Sequence, residues 1–205
     1  MMTLMSGATS AVDRIRAERV VAILRRVPDG EVVVEALVAG GVRIVEVTLD
    51  SEGALETIYR LRSNRELTVL AGTVRTPADA EAAAAAGAEA CVAPALVPET
   101  IERCRALGVP AVPGALTPSE IEAALALGVS LVKLFPGSLV GPEYVRDVLA
   151  PLAGAALMVT GGVNLSNARE FLGAGAVAVG VGSALTGAAD VETEARRLVA
   201  AVSTV

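Results

Sequence analysis

Eight short apolar segments recur along the chain, and each is followed by a stretch whose apolar residues have helical spacing. The apolar segments are nearly continuous in Val, Ile, Leu and Ala, which is typical of parallel strands buried on both faces. Glycines such as Gly87, Gly108 and Gly128 end the helical stretches, where a left-handed residue commonly terminates a helix. The predicted strands are Val20–Leu24, Val42–Thr48, Leu67–Ala71, Ala90–Ala93, Val109–Val112, Ser130–Phe135, Ala156–Thr160 and Ala176–Val181.

Eight units of strand followed by helix predict an α/β fold, a single compact (β/α)8 TIM barrel. An open doubly wound sheet is the competing architecture, but it favours a glycine-rich turn after the first strand. This chain has Arg25-Arg26-Val27-Pro28 at that place. Residues 7–18 predict an extra N-terminal helix that covers the floor of the barrel. Because no linker divides the sequence, we expect one domain over residues 1–205, with residues 1–18 as an N-terminal extension.

The composition excludes several classes of protein. The 205 residues have a formal net charge of −6 and no basic block, so we expect no binding to nucleic acid or to anionic membranes. Histidine is absent, which excludes a His-ligated zinc site and hydrolysis by Ser–His or Cys–His pairs. Magnesium held by oxygen ligands remains open, but no dense carboxylate cluster is present to bind it. We therefore expect no metal and no organic cofactor.

The sequence also predicts a soluble, cytoplasmic protein. Its two cysteines, Cys91 and Cys104, are too few for a disulfide framework and are expected to be reduced thiols. No uncharged apolar run is long enough to predict a membrane span. The N-terminal residues lack the charged and apolar regions of a secretory signal.

Lys133 is the only lysine among 17 basic residues, and it lies within the sixth predicted strand. The carboxyl ends of the strands carry the chemistry in barrels of this kind. A buried lysine has one ability that arginine lacks, because it can lose its proton and attack a carbonyl carbon. Lys133 is therefore predicted to be a Schiff-base nucleophile, and a purely structural ion pair is the alternative.

Two further charged residues are expected at the same mouth. Glu46 shares one face of the second strand with Ile44 and Thr48, which places its carboxylate inside the barrel. It is a candidate both for pairing with Lys133 and for proton transfer. Arg25 ends the first strand and is a candidate for binding a substrate carboxylate with its planar fork. The alternative for Arg25 is a salt bridge at the rim.

Glycine-rich turns follow the last two strands, where barrels of this type often bind phosphate through backbone N–H groups. The first turn is Thr160-Gly161-Gly162-Val163-Asn164, and the second is Gly180-Val181-Gly182-Ser183. The Ser183 hydroxyl adds a donor. Either turn alone is a weak signal, but both together predict an anionic substrate.

These residues together resemble the 2-keto-3-deoxy-6-phosphogluconate (KDPG) and 4-hydroxy-2-oxoglutarate (KHG) aldolase family. The resemblance extends from about Val20 to Leu185. The matching segments are Ala39-Gly40-Gly41-Val42, Glu46-Val47-Thr48-Leu49, Ala71-Gly72-Thr73-Val74, Pro113-Gly114, Val132-Lys133-Leu134-Phe135-Pro136, Thr160-Gly161-Gly162-Val163-Asn164 and Gly182-Ser183.

The resemblance implies a class I aldolase that acts without a cofactor. It implies that Lys133 forms the Schiff base with pyruvate or the keto substrate, and that Glu46 moves protons through a water molecule. Thr73 matches a residue near the pyruvyl group, and Phe135 and Pro94 match the wall of the pocket. The two glycine-rich turns match the phosphate site. A homotrimer is also implied.

The sequence departs from the family at one position. Many members have arginine directly after the Glu-Val-Thr-Leu run, where it binds the substrate carboxylate, but this chain has Asp50. Other members, including those that act on the galactonate epimer, have arginine at the end of the first strand. Arg25 occupies that position, and we assign it the carboxylate-binding role.

The predicted activity is reversible cleavage of 2-keto-3-deoxy-6-phosphogluconate to pyruvate and glyceraldehyde 3-phosphate. A related aldolase acting on 4-hydroxy-2-oxoglutarate or on 2-keto-3-deoxy-6-phosphogalactonate is the nearest alternative. A phosphosugar isomerase or metal-dependent epimerase would leave Lys133 unexplained. A non-catalytic phosphosugar-binding barrel would bind its ligand without forming a covalent bond.

Overall fold

A computed structural model of the chain describes residues 10–28 and 30–204, and these residues form a parallel β-barrel surrounded by helices. The neighbouring strands follow the order β5-β4-β3-β2-β1-β9-β8-β7-β6, and every pair is parallel. The strands are β1 (Val20–Leu24), β2 (Ile44–Thr48), β3 (Thr68–Gly72), β4 (Ala90–Val92), β5 (Ala111–Val112), β6 (Gly114–Ala115), β7 (Val132–Leu134), β8 (Leu157–Thr160) and β9 (Ala178–Val181).

The two strands at the ends of that order, β5 and β6, are halves of one segment interrupted at Pro113. Proline has no N–H group, so the ladder of hydrogen bonds breaks there. The carbonyl of Pro113 still accepts a 2.8 Å hydrogen bond from the backbone N–H of Lys133. Since β5 pairs with β4 and β6 pairs with β7, the segment closes the sheet. The predicted (β/α)8 barrel is therefore confirmed, with the fifth strand divided in two.

Barrel closure brings two backbone segments close together beside this break. A Cβ atom on Gly114 would lie 2.3 Å from the carbonyl carbon and oxygen of Pro94, which follows β4. Only glycine allows these two backbone segments to approach so closely. Gly114 thus lets the fifth segment turn from β4 toward β7.

The helices pack on the outside of the barrel as the sequence predicts. Thr76 and Thr117 each form a capping box, followed by a proline in the first turn. The helices are α1 (Ala11–Glu18), α2 (Gly30–Ala39), α3 (Ala54–Leu61), α4 (Pro77–Ala86), α5 (Pro98–Ala106), α6 (Pro118–Ala126), α7 (Pro142–Leu149), α8 (Ala168–Gly173), α9 (Ser183–Thr186) and α10 (Val191–Val202), with a 3-10 turn at Gly137–Leu139.

Helix α1 covers the amino-terminal end of the barrel, which confirms the predicted N-terminal helix. Ser10 caps it by accepting a hydrogen bond from the N–H of Asp13. Val12 and Ile15 are buried in the cluster that fills the barrel interior, together with residues such as Ile44. Residues 7–9 of the predicted helix lie outside the described residues.

The longest helix, α10, has 12 residues. Within residues 10–28 and 30–204, no helix is long and apolar enough to cross a membrane.

The strands separate an inner cluster of apolar side chains from an outer one beneath the helices. On β2, Ile44 belongs to the inner cluster, whereas Val45 and Val47 belong to the outer one. Glu46 therefore points into the barrel, as the alternation along the strand predicts. Its side chain is fully buried.

Candidate active site

A cleft of about 360 Å³ opens at the carboxyl ends of the strands and contains most of the predicted site residues. The sequence did not single out Ile23, Ala184 or Thr186 as part of it, because their types carry no chemical signal. The predicted residues that line the cleft are Arg25, Lys133, Phe135, Thr160, Gly161, Gly162, Gly182 and Ser183. A depression of about 400 Å³ outside the barrel wall, between α2 and α3, contains none of them.

Lys133 and Glu46 form a buried pair, of which Lys133 lines the cleft and Glu46, also predicted for the site, does not. Lys133 Nζ lies 3.5 Å from Glu46 Oε1, and their side chains are 4% and 0% exposed. The other carboxylate oxygen, Oε2, is buried and accepts no hydrogen bond from the part of the chain that the structure describes. A buried acceptor without a partner is costly unless a ligand or water satisfies it. The pair therefore places an amine beside a carboxylate that has one oxygen without a partner among the described residues.

Phe135 forms one wall beside the lysine. The centre of its ring lies 5.4 Å from Lys133 Nζ, which places an apolar face next to the amine. The ring also packs on the turn after β8, since a Cβ atom on Gly161 would lie 3.2 Å from it. An apolar wall of this kind excludes water from the reacting carbon.

Arg25, Arg26 and Asp50 form a charged cluster at the rim. Arg25 Nε lies 3.8 Å from Asp50 Oδ1, so the salt bridge considered for Arg25 is present. Arg26 does not line the cleft, and its guanidinium lies 3.2 Å from Asp50 Oδ2. Burial would raise the pKa of Asp50, but the Thr48 hydroxyl and the two guanidinium groups hold it below its ordinary value. Asp50 therefore remains a carboxylate that orients both arginines.

Thr73 and Pro94 lie near the cleft rather than in its lining. The backbone of Thr73 is left-handed, with φ of 60°, and its hydroxyl oxygen accepts a 3.2 Å hydrogen bond from Arg25. Pro94 abuts Gly114 at the point where the barrel closes. Thr73 is thus linked to the cleft by its hydrogen bond with Arg25, which lines the cleft.

The two glycine-rich turns follow the neighbouring strands β8 and β9, and both line the cleft. Gly161 and Gly162 both have positive φ, 85° and 81°, which other residues adopt only with strain. A Cβ atom on Gly162 would lie 2.7 Å from that of Ser138, so the turn also packs tightly on the segment after β7. Gly182 and Ser183 follow β9 and line the same cleft. Backbone and hydroxyl donors from both turns are therefore available to one ligand.

Thr160 adds an unpaired hydroxyl to the cleft. Its Oγ1 atom is buried and has no hydrogen-bond partner within the described ranges. The space beside it is made by Gly180, where a Cβ atom would lie 2.7 Å from the Thr160 methyl group. Among the described residues, no group of three or more Asp, Glu or Cys side chains could hold a metal ion.

The fold and the site define a (β/α)8-barrel enzyme with a buried lysine at the mouth. The family model for "KDPG and KHG aldolase" matches residues 12–202. The chain therefore belongs to the KDPG and KHG aldolase family. Its relatives are named as aldolases, and the protein is accordingly an aldehyde-lyase.

Two curated relatives illustrate the range of the family. The 2-dehydro-3-deoxy-phosphogluconate aldolase of Treponema pallidum is 36% identical over 164 residues, which are 79% of this chain and 78% of the relative. The 2-dehydro-3-deoxy-6-phosphogalactonate aldolase of Escherichia coli is 33% identical over 171 residues, 80% of this chain and 83% of the relative.

Solved structures agree with the fold. A 4-hydroxy-2-oxoglutarate/2-dehydro-3-deoxyphosphogluconate aldolase from TTHB1 is 34% identical with a TM-score of 0.84, covering 92% of this chain and 96% of that one. A KDPG aldolase from Legionella pneumophila, with pyruvate captured as a covalent carbinolamine, is 25% identical with a TM-score of 0.80. That match covers 94% of this chain and 96% of the Legionella chain.

Proposed function

We propose that this aldolase reversibly cleaves 2-keto-3-deoxy-6-phosphogluconate to pyruvate and glyceraldehyde 3-phosphate. The observation that carries the proposal is the buried pair of Lys133 and Glu46, at 3.5 Å, with Lys133 lining the cleft. The phosphogluconate aldolase of T. pallidum, at 36% identity, supports the choice of substrate. The covalent pyruvate in the Legionella aldolase supports attack by lysine on a keto acid.

In the proposed reaction, the neutral amine of Lys133 attacks the C2 carbonyl carbon and forms a carbinolamine. Loss of water gives an iminium ion, which accepts the electrons of the C3–C4 bond. Glu46, through a water molecule, takes the proton of the C4 hydroxyl as that bond breaks. Glyceraldehyde 3-phosphate leaves with its new aldehyde. The remaining enamine takes a proton at C3, and hydrolysis of the iminium releases pyruvate and restores the lysine.

The remaining groups of the cleft have binding roles in this proposal. Arg25, at the rim, holds the substrate carboxylate, and Thr73 fixes the guanidinium. The turns at Gly161-Gly162 and Gly182-Ser183 hold the phosphate. The N–H and hydroxyl groups of these turns donate hydrogen bonds to the phosphate. An anionic substrate requires such local donors because the protein has a net charge of −6. Phe135 forms the wall of the cleft, with Pro94 near it, and Thr160 offers its hydroxyl to the substrate.

The second candidate substrate is 2-keto-3-deoxy-6-phosphogalactonate, and Arg25 is the observation that favours it. The E. coli phosphogalactonate aldolase is 33% identical to this chain. KHG, which lacks the phosphate, is the third candidate. Steady-state kinetics on the three substrates, with pyruvate release coupled to lactate dehydrogenase, separates the candidates by their kcat/KM values. Lys133→Arg is the control, and equal turnover by that variant would contradict the mechanism.

We further infer a cytoplasmic homotrimer of one domain per chain. Cys91 and Cys104 are buried free thiols, which fits a reducing compartment. Exposed apolar side chains on α2 and α3, at Val32, Leu55 and Tyr59, offer a surface for association. Light scattering in solution should give three times the chain mass of 20.6 kDa. A mass equal to that of one chain would contradict the trimer.

A further inference from the structure

Gly72, the last residue of β3, lies against the carboxylate of Glu46. A Cβ atom on Gly72 would lie 2.2 Å from Glu46 Oε1 and 2.7 Å from both Cδ and Cγ. Nonbonded atoms do not approach so closely, so the Glu46 side chain occupies the space that any other residue at position 72 would fill. The register explains the contact, because Gly72 pairs with Thr48 on the neighbouring strand, two residues beyond Glu46.

The requirement for glycine at this position is steric rather than conformational. Gly72 is not among the glycines with positive φ, so its backbone suits any residue. The atom that a methyl group would displace most is Oε1, which lies 3.5 Å from Lys133 Nζ. Because Glu46 is fully buried, its carboxylate has no solvent to move into. A displaced carboxylate would therefore lose its place beside the amine.

We propose that Gly72 is a positioning residue for proton transfer, because it holds open the space in which the Glu46 carboxylate faces Lys133. The proposal rests on the proton-transfer role given to Glu46 above. The effect of Gly72 on the reaction is transmitted wholly through the Glu46 side chain.

Gly72→Ala tests this role by steady-state kinetics on 2-keto-3-deoxy-6-phosphogluconate. We expect kcat to fall roughly 10²-fold, the scale of a misplacement near 1 Å, with little change in KM. Borohydride reduction with pyruvate should still label Lys133, because the amine and its pocket remain. The matched control is Gly173→Ala, since Gly173 also lacks positive φ and has open space where its Cβ would lie. That control should match the wild type in kcat.

A double-variant cycle distinguishes a positioning role from a merely structural one. In a Glu46→Gln background, whose proton transfer is already lost, adding Gly72→Ala should change kcat less than about twofold. A further loss equal to that seen in the wild-type background would overturn the proposal. If Glu46→Gln is slow but Gly72→Ala is as fast as the wild type, only the role of Gly72 fails. If Glu46→Gln retains full kcat, the role of Glu46 fails and that of Gly72 fails with it.

Glu46→Asp tests the contact between the two positions through stability as well as through activity. The shorter side chain withdraws the carboxylate by one methylene and leaves room for a methyl group at position 72. We expect Gly72→Ala to lower Tm and kcat less in the Glu46→Asp background than in the wild-type background. Equal decreases in both backgrounds would contradict a contact between the two side chains.

Discussion

A guanidinium nitrogen of Arg25 donates a 3.2 Å hydrogen bond to Oγ1 of Thr73, although their strands β1 and β3 are separated by β2. The Arg25 side chain thus passes the carboxyl end of the strand that carries Glu46. This reach is about twice the spacing of neighbouring strands, which is ~4.8 Å. The bond places a cationic fork at the mouth of the cleft that contains Lys133.

Arg25→Ala should raise KM for the keto-acid substrates about 10- to 200-fold. The expected cause is loss of a charge-assisted contact with the substrate carboxylate, worth about 1.5–3 kcal/mol. Arg25→Lys should recover only part of this, because a point charge cannot replace the planar fork. Arg26→Ala is the matched control, since Arg26 does not line the cleft. If Arg25→Ala changes KM only twofold and Arg26→Ala changes KM strongly, the carboxylate-binding role belongs to Arg26 and not to Arg25.

Asp50→Asn should destabilise the protein at neutral pH and lose this effect in acid. The pKa of Asp50 lies below its ordinary value of 3.8. A carboxyl group with a lowered pKa contributes stability above its unfolded pKa and loses it as the pH falls through its folded pKa. The difference in free energy of unfolding between wild type and variant should be constant above about pH 5 and shrink below about pH 4. Urea unfolding at several pH values measures this difference. A difference at pH 3 as large as that at neutral pH would contradict the pairing of Asp50 with the two arginines.

Lys133 should carry every productive covalent adduct. Pyruvate with borohydride should add one pyruvyl-derived mass to the peptide containing Lys133, measured by peptide mass mapping. Because Lys133 is the only lysine, the N-terminal amine is the one other primary amine and serves as an internal control. Lys133→Arg should abolish both labelling and turnover, since a guanidinium stays protonated. Labelling confined to the N-terminus would rule out the Schiff-base mechanism.

Glu46→Gln should lower kcat by roughly 10²–10⁴-fold, the usual contribution of a general acid–base group. The amide is nearly isosteric, so the strand and the wall of the cleft should persist. Pyruvate trapping at Lys133 should therefore suffer much less than turnover. An unchanged kcat would reduce Glu46 to a structural partner of the lysine.

Thr160→Val should stabilise the protein and weaken substrate binding. The change removes a buried hydroxyl that has no partner among the residues the structure describes, which should raise the free energy of unfolding by about 1 kcal/mol. Loss of one hydrogen bond to the substrate should raise KM about 2- to 12-fold. Thr68→Val is the matched control, because the Thr68 hydroxyl is also buried and unpaired within the described ranges but lies at the start of β3, away from the cleft. Thermal unfolding and kinetics on both variants should show similar stabilisation, with KM raised only for Thr160→Val.

The spacing of apolar residues along the sequence was sufficient to predict most of the fold. Continuous apolar runs identified the strands, and the predicted first strand, Val20–Leu24, has the bounds of β1. The ends of strands were less predictable. The run Val42–Thr48 forms a strand only from Ile44, because strand ends depend on where the neighbouring strand offers hydrogen bonds.

The sequence by itself determined which chemistry the chain carries and the order of its elements. The single lysine, the strand alternation at Glu46 and the two glycine-rich turns are local properties, so they are legible without coordinates. Only the tertiary structure decided which of these groups meet. Lys133 and Glu46 are 87 positions apart, and Gly72 contacts the carboxylate through the register of β2 and β3. The Lys133–Glu46 distance depends on the closure of the barrel at Pro113, and the Gly72 contact depends on the register of two neighbouring strands. No local pattern encodes either one, because both are fixed by packing between segments far apart in the chain.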